Sequence, residues 1–260
     1  MKLKFIKAIL MVAFIVLTAA LTYLGLNRRE ASIDFVALDK ARNAEVSTQS
    51  EEAFANVLKN IGNSTKLVKP DVLQSSDTAR LSLSVRLLDT MRQYIYAGVL
   101  SEKLAVLQKS SYRYHMAARY FLLATEAHEN ELMLFRKART NLSKCIEADP
   151  GNLDAKVDLA VSIYNINNLK KPDNQMDLMQ PALLLREVVK ADSNHIDGLY
   201  YLGKLAMESN QTEKAIERFK KLVSLQPQNR EFYLELSRIY QMRGDQKEAK
   251  AWEDKARDIQ

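Results

Sequence analysis

Residues 196–229, IDGLYYLGKLAMESNQTEKAIERFKKLVSLQPQN, and residues 230–260, REFYLELSRIYQMRGDQKEAKAWEDKARDIQ, obey one spacing rule. In the first stretch Leu199, Leu202, Gly203, Ala206, Ala215, Phe219, Leu222 and Pro227 stand at positions 4, 7, 8, 11, 20, 24, 27 and 32. In the second, Tyr233, Leu236, Ser237, Tyr240, Ala249 and Ala256 stand at 4, 7, 8, 11, 20 and 27. Apolar residues three and four apart share one face of a helix, so each stretch predicts two helices, A and then B, each burying one stripe. A glycine inside a helix costs about 1 kcal/mol relative to alanine, and a close helix crossing at position 8 accounts for Gly203. Pro227 ends one unit because a residue without an N–H cannot continue the helix, and Gly244-Asp245 marks the turn inside the next.

This 34-residue spacing resembles the tetratricopeptide repeat, a helix–turn–helix unit that stacks into a superhelix. Working backwards, residues 153–195 keep Leu159, Ala160 and Ile163 at positions 7, 8 and 11, and PALLLREVVKADSN supplies helix B. Nine extra residues fall between these halves, within a predicted loop at 166–177 that carries Lys170, Lys171 and Pro172. In residues 135–152, Ala138, Leu142, Cys145 and Pro150 occupy positions 20, 24, 27 and 32 of a further unit. Its first helix, about 112–128, fits only with a two-residue slip through Tyr120, Leu123, Ala124 and Ala127. The expected repeat domain is therefore 119–260, divided at 152, 195 and 229.

The front of the chain differs. Residues 8–26, AILMVAFIVLTAALTYLGL, contain no charged side chain, and as a helix they would span roughly 28 Å, about one bilayer core. Lys2, Lys4 and Lys7 precede this run, which places the N-terminus in the cytoplasm and exports the remainder. Thr18-Ala19-Ala20 would suit a cleaved signal peptide, but the apolar run continues to Leu26, so a retained signal anchor within residues 1–30 is the expectation. Residues 31–76 read as a polar helical stalk or linker. In 77–118, Leu81, Val85, Leu88 and Met91 with Tyr94 to Tyr96 form a stripe that breaks at Gly98, as an irregular cap or a degenerate repeat. The fold class is all-α: an N-terminal transmembrane helix followed by an α-solenoid.

Charge follows the same division. The formal net charge is +6, yet residues 31–260 hold 33 basic and 31 acidic residues, so the basicity belongs to the membrane flank. The exported part lacks the clustered basic face that nucleic acid requires, and no nucleic-acid partner is expected. No phosphate loop, dinucleotide fingerprint, HExxH or GxSxG occurs. His115, His128 and His195 are scattered, His195 at a turn, and the single cysteine falls at a packed helix-B position. Neither an enzyme nor a cofactor is expected.

In tetratricopeptide arrays the A helices line a concave groove at positions 2, 5, 6, 9, 12 and 13. Carried over, the resemblance implies Asp154, Val157, Asp158, Val161, Tyr164 and Asn165 in one unit. The next two units contribute Asp197, Tyr200, Tyr201, Lys204, Met207 and Glu208, then Glu231, Leu234, Glu235, Arg238, Gln241 and Met242. Asp158, Tyr201 and Glu235 oppose the subtype that clamps a chaperone's terminal carboxylate. The chain looks like membrane-anchored bacterial repeat proteins of the cell envelope, which implies a scaffold for proteins or peptides outside the inner membrane. The alternatives are an assembly chaperone of the kind serving c-type cytochrome maturation, or a non-obvious enzyme or regulatory subunit. The sequence stops at the end of a helix B, so the face bearing Trp252, Ala256 and Ile259 is expected to be open for self-association.

Overall fold

A computed structural model describes residues 70–126, 130–171 and 175–259. The anchor expected at 8–26 and most of the stalk lie outside the described residues. Among the described residues no helix is long and apolar enough to cross a membrane.

Eleven helices are described: α1 Pro70–Gln74, α2 Thr78–Thr90, α3 Tyr94–Gln108, α4 Ser111–Ala124, α5 Glu131–Ala148 and α6 Leu153–Leu169. They continue as α7 Gln175–Ala191, α8 Ile196–Glu208, α9 Thr212–Leu225, α10 Arg230–Arg243 and α11 Gln246–Arg257. From α2 onward each helix packs on the next, while α4 also touches α6 and α6 touches α8. That second-neighbour contact stacks helix pairs into a solenoid with the A helices on one side. The A helices start where a side chain satisfies an orphan N–H. Asp77 accepts from Ala79 and Arg80, Ser110 from Arg113, Asn152 from Ala155, His195 from Gly198 and Asn229 from Glu231. Asp245 does the same for α11, directly after Gly244, whose φ of 85° is the left-handed conformation that makes this turn a glycine position.

The ruler residues of the last two units form one core. Leu199, Ala206, Ala215, Phe219, Leu222, Leu236, Tyr240 and Ala249 are all buried in it, joined by Phe232 and Ile239. Further forward the expectations need correction. The unit containing α5 begins at Ser111, so the boundary at 118/119 falls inside α4. The buried residues of α4 are Ala117, Ala118, Tyr120, Phe121 and Ala124, whereas Leu123 is exposed. The slipped alignment therefore placed Tyr120 and Ala124 on the inward face as found, but misplaced Leu123 and missed Ala117, Ala118 and Phe121, and the helix ends at Ala124, before Ala127. In the preceding pair the break falls at Met91 to Gln93, where Arg92 takes a φ of 55°, and not at Gly98. Met91 is exposed, while Gly98 lies buried inside α3, where an added Cβ would stand 2.8 Å from the Phe121 ring.

The predicted loop at 166–177 is helical at both ends, since α6 runs to Leu169 and α7 begins at Gln175. The extra residues lengthen α6 and α7 to 17 residues each, against 13 and 14 for α8 and α9. Ile166 continues the buried spacing of Ile163, which carries α6 onward. At the far side the expected helix B, PALLLREVVKADSN, began at Pro181. In the structure it sits inside α7, buried, without the N–H for an internal bond. Lys170 and Lys171 are exposed at the end of α6, and Pro172 lies outside the described residues.

Cys145 is fully buried, and desolvation followed by the charge of Asp149 pushes its thiol up to about 11. The folded thiol holds its proton more tightly than the unfolded one, so this contribution is intact below about pH 9 and is lost as pH rises towards 11. The loss is about 2–3 kcal/mol. Denaturation of wild type and Cys145→Ala at pH 8 and pH 10.5 checks it: the wild type should weaken by about 2 kcal/mol more than the variant.

Candidate protein-binding groove

The A helices are laced by acids on one helix and donors on its neighbour. His115 on α4 meets Asp158 on α6, Nε2 to Oδ2, at 2.8 Å. Tyr164 on α6 donates its hydroxyl to Glu208 on α8 at 2.6 Å. Tyr200 on α8 donates to Glu231 on α10 at 2.8 Å, and Lys204 donates to Glu235 at 3.2 Å. His195, expected as a solvated turn residue, is half-buried, with Nε2 3.1 Å from Oδ1 of Asp154 while Nδ1 caps α8. The sequence separations are 43, 44, 31 and 31 for the four helix-to-helix rungs, so only stacking brings these partners together.

This lacing sorts the expected groove residues. Val157 and Met207 are buried in the core and line no surface, a correction to both. Tyr200 belongs to the packing between units. Its ring lies edge-on to Phe219 at 5.8 Å and 6.2 Å from Phe232, and burial first, then Glu231, raises its hydroxyl pKa. Glu235 is 5% exposed, its Oε1 also accepting from Arg238 at 2.8 Å, while its Oε2 has no partner. The side chains that face the groove are Asp154, Asp197, Glu231, Leu234, Arg238 and Gln241, which are exposed, and Val161, Tyr164, Tyr201 and Lys204, which are half-buried.

Between α6, α7 and α8 these faces enclose a hollow of about 330 Å³, lined by Val161, Tyr164, Asn165, Tyr201, Lys204 and Glu208 among others. Tyr201 stands edge-on to Tyr200 at 5.3 Å. Burial raises the Tyr201 hydroxyl, and the charges of Asp197, Asp158 and Glu231 raise it further, so this part of the groove is a negative environment. Sequence reasoning missed His115, which the slipped first helix concealed. It also passed over Arg186 and Arg218, which lie on B helices outside the groove rule.

Trp252 is half-buried. It packs against the last core with its ring 6.0 Å from Tyr233 and Lys255 Nζ 4.1 Å above it. Ala256 is buried, and none of the large exposed apolar side chains among the described residues lies on α11. The expected open apolar end is thus largely closed by its own helix.

Residues 196–229 match the tetratricopeptide repeat family. Solved tetratricopeptide-like folds extend the likeness beyond that one repeat. A crystal structure of MamA aligns with a TM-score of 0.54 at 17% identity, covering 67% of this chain and 93% of MamA. MamA residues 41 to the end, from Desulfovibrio magneticus RS-1, aligns with a TM-score of 0.56 at 17% identity, covering 71% and 96%. At such identity the likeness is one of fold: an all-α tetratricopeptide solenoid. None of the curated proteins matches the sequence.

Proposed function

We propose that this protein is a membrane-tethered scaffold that gathers partner proteins at the extracytoplasmic face of a bacterial inner membrane. The tether is residues 8–26, and the reading rests there on their lack of charge and the lysines that precede them. The scaffold is the tetratricopeptide solenoid, and the reading assigns it no reaction. The observation that carries it is the hollow beside Tyr201, where aromatic faces and Val161 line the wall with Glu208 and Lys204, and the charges of Asp197, Asp158 and Glu231 reach the Tyr201 hydroxyl. An aromatic surface next to acids suits an extended partner segment that bears lysine or arginine beside an aliphatic side chain.

The test is crosslinking in native membranes followed by mass spectrometry, on the wild type and on a Val161→Arg, Tyr201→Ala variant. Neither residue makes a rung of the lacing, so the variant should keep its fold, which circular dichroism checks, although losing the Tyr201 ring beside Tyr200 lowers its melting temperature. A defined partner set recovered by the wild type and lost by the variant is the expected result. Partners recovered equally by both would overturn the groove reading.

A further inference from the structure

The lengthened helices build a second hollow beside the groove, and it meets the first at Tyr164, Pro181, Leu205 and Glu208. It opens at the edge of the solenoid, where the turns between A and B helices lie, and its volume is about 570 Å³. That is within the range of about 300–1,000 Å³ typical of ligand sites. Its wall comes from the added first turns of α7, where Leu178 and Met179 are 53% and 47% exposed, and from Leu183 and Leu205. A unit of ruler length would have no such wall.

Two guanidinium groups face this hollow from B helices, Arg186 on α7 and Arg218 on α9. Arg218 is half-buried. Its one described hydrogen bond runs from Nη1 to the Leu202 carbonyl at 3.3 Å, which leaves its other donors unspent. Burial lowers its pKa, Glu217 opposes that shift, and the nearby charge of Arg186 adds to it. Neither arginine forms a salt bridge among the described residues. The lining's one carboxylate, Glu208, is held by the Tyr164 hydroxyl. A half-buried cation beside a second cation, with Glu217 nearby but no salt bridge to either arginine, is an attraction for an anion. Asn167, Asn168 and Gln211 complete the lining, Gln211 donating to Ser209 Oγ and accepting from Lys214 Nζ, both at 2.7 Å.

From this arrangement we infer that the edge cleft is a second peptide site, taking a segment in which an acidic residue lies close to a bulky aliphatic one. The aliphatic side chain packs on Leu178 and Met179, and the carboxylate pairs with Arg218 and Arg186. The charge preference is opposite to that proposed for the groove. This inference does not depend on the groove reading.

The experiment pans a displayed library of twelve-residue peptides on the full-length protein in nonionic detergent, and measures the enriched peptides by fluorescence anisotropy. Expected are sequences with aspartate or glutamate within three positions of leucine, isoleucine, methionine or phenylalanine. Arg186→Glu, at an exposed position, should weaken them at least about tenfold without moving the melting temperature, as loss of a charge-assisted contact does. Leu178→Asp should also weaken them, and Val161→Arg with Tyr201→Ala should leave them unchanged. No enrichment, enrichment of neutral or basic peptides, or equal binding by Arg186→Glu would each overturn the proposal. So would binding lost only in the groove variant.

Discussion

Gly203→Val is expected to destabilise the last two units by about 3 kcal/mol, the upper end of ordinary overpacking. A Cβ at residue 203 would stand 2.6 Å from Cε2 of Phe219 and 3.1 Å from Cδ2 and Cζ. The Phe219 ring has no room to retreat, since it is fully buried between α8, α9 and α10 and carries Tyr200 on its edge. Gly203→Ala sets overlap against helix propensity. Alanine gains about 1 kcal/mol as a helix former, so the net loss should be only about 1 kcal/mol. Adding Phe219→Leu to Gly203→Val should recover part of the loss, although Phe219→Leu alone removes buried volume and destabilises. Denaturant unfolding of the four variants measures all of this. A Gly203→Ala protein at least as stable as the wild type would show that close packing is not why glycine stands there.

The same contact explains why the back half of the fold was legible. At positions 7, 8, 11, 20 and 24 the ruler records which side chains meet at a helix crossing, and Gly203 against Phe219 is one such meeting. Where that geometry recurs, the spacing recurs. It fails at α4 because the interval from Ala124 to Glu131 is longer than that from Glu208 to Thr212, so the ruler finds Tyr120 and Ala124 but not Ala117, Ala118 and Phe121 on the same inward face. Gly98 was misread for a related reason. A glycine after a stripe reads as a break, but here it admits the Phe121 ring from the next helix, a contact that local sequence does not express. The insertion misled in another way: Pro181 is a breaker by chemistry, yet tertiary packing holds it within a 17-residue helix.

The groove was half legible. Position along the ruler gives the direction of a Cα–Cβ bond, but not whether a neighbouring helix covers the side chain. Val157 and Met207 point toward the groove side by rule and are buried by their neighbours. The edge cleft was illegible as a site, because Arg186 and Arg218 are 32 positions apart on B helices, and only the lengthened α6 and α7 set an apolar wall beside them.

Removing both cations from Glu235 is expected to cost about 2–3 kcal/mol, less than the 3–5 typical of a fully buried ion pair. The discount follows from exposure: the Glu235 side chain is 6% exposed, but Lys204 and Arg238 are 34% and 57% exposed, so water already screens part of the attraction. In Lys204→Met with Arg238→Met, the carboxylate keeps its burial and loses its donors, and its Oε2 has no partner even in the wild type. Each single change should cost much less than half of the double, because either cation alone still neutralises the shared Oε1. Adding Glu235→Met should restore most of the stability, since an apolar triad needs no counter-charge. A double variant as stable as the wild type would sink this account. The distinction bears on function because Lys204 reaches from α8 to α10 and so fixes how those two A helices are laid side by side. If the triple variant regains stability yet fails to recover the groove's partners, the ion pair sets the groove's shape or charge. If it recovers them, Lys204 and Glu235 hold the units together and the recognition lies with Tyr201 and Val161.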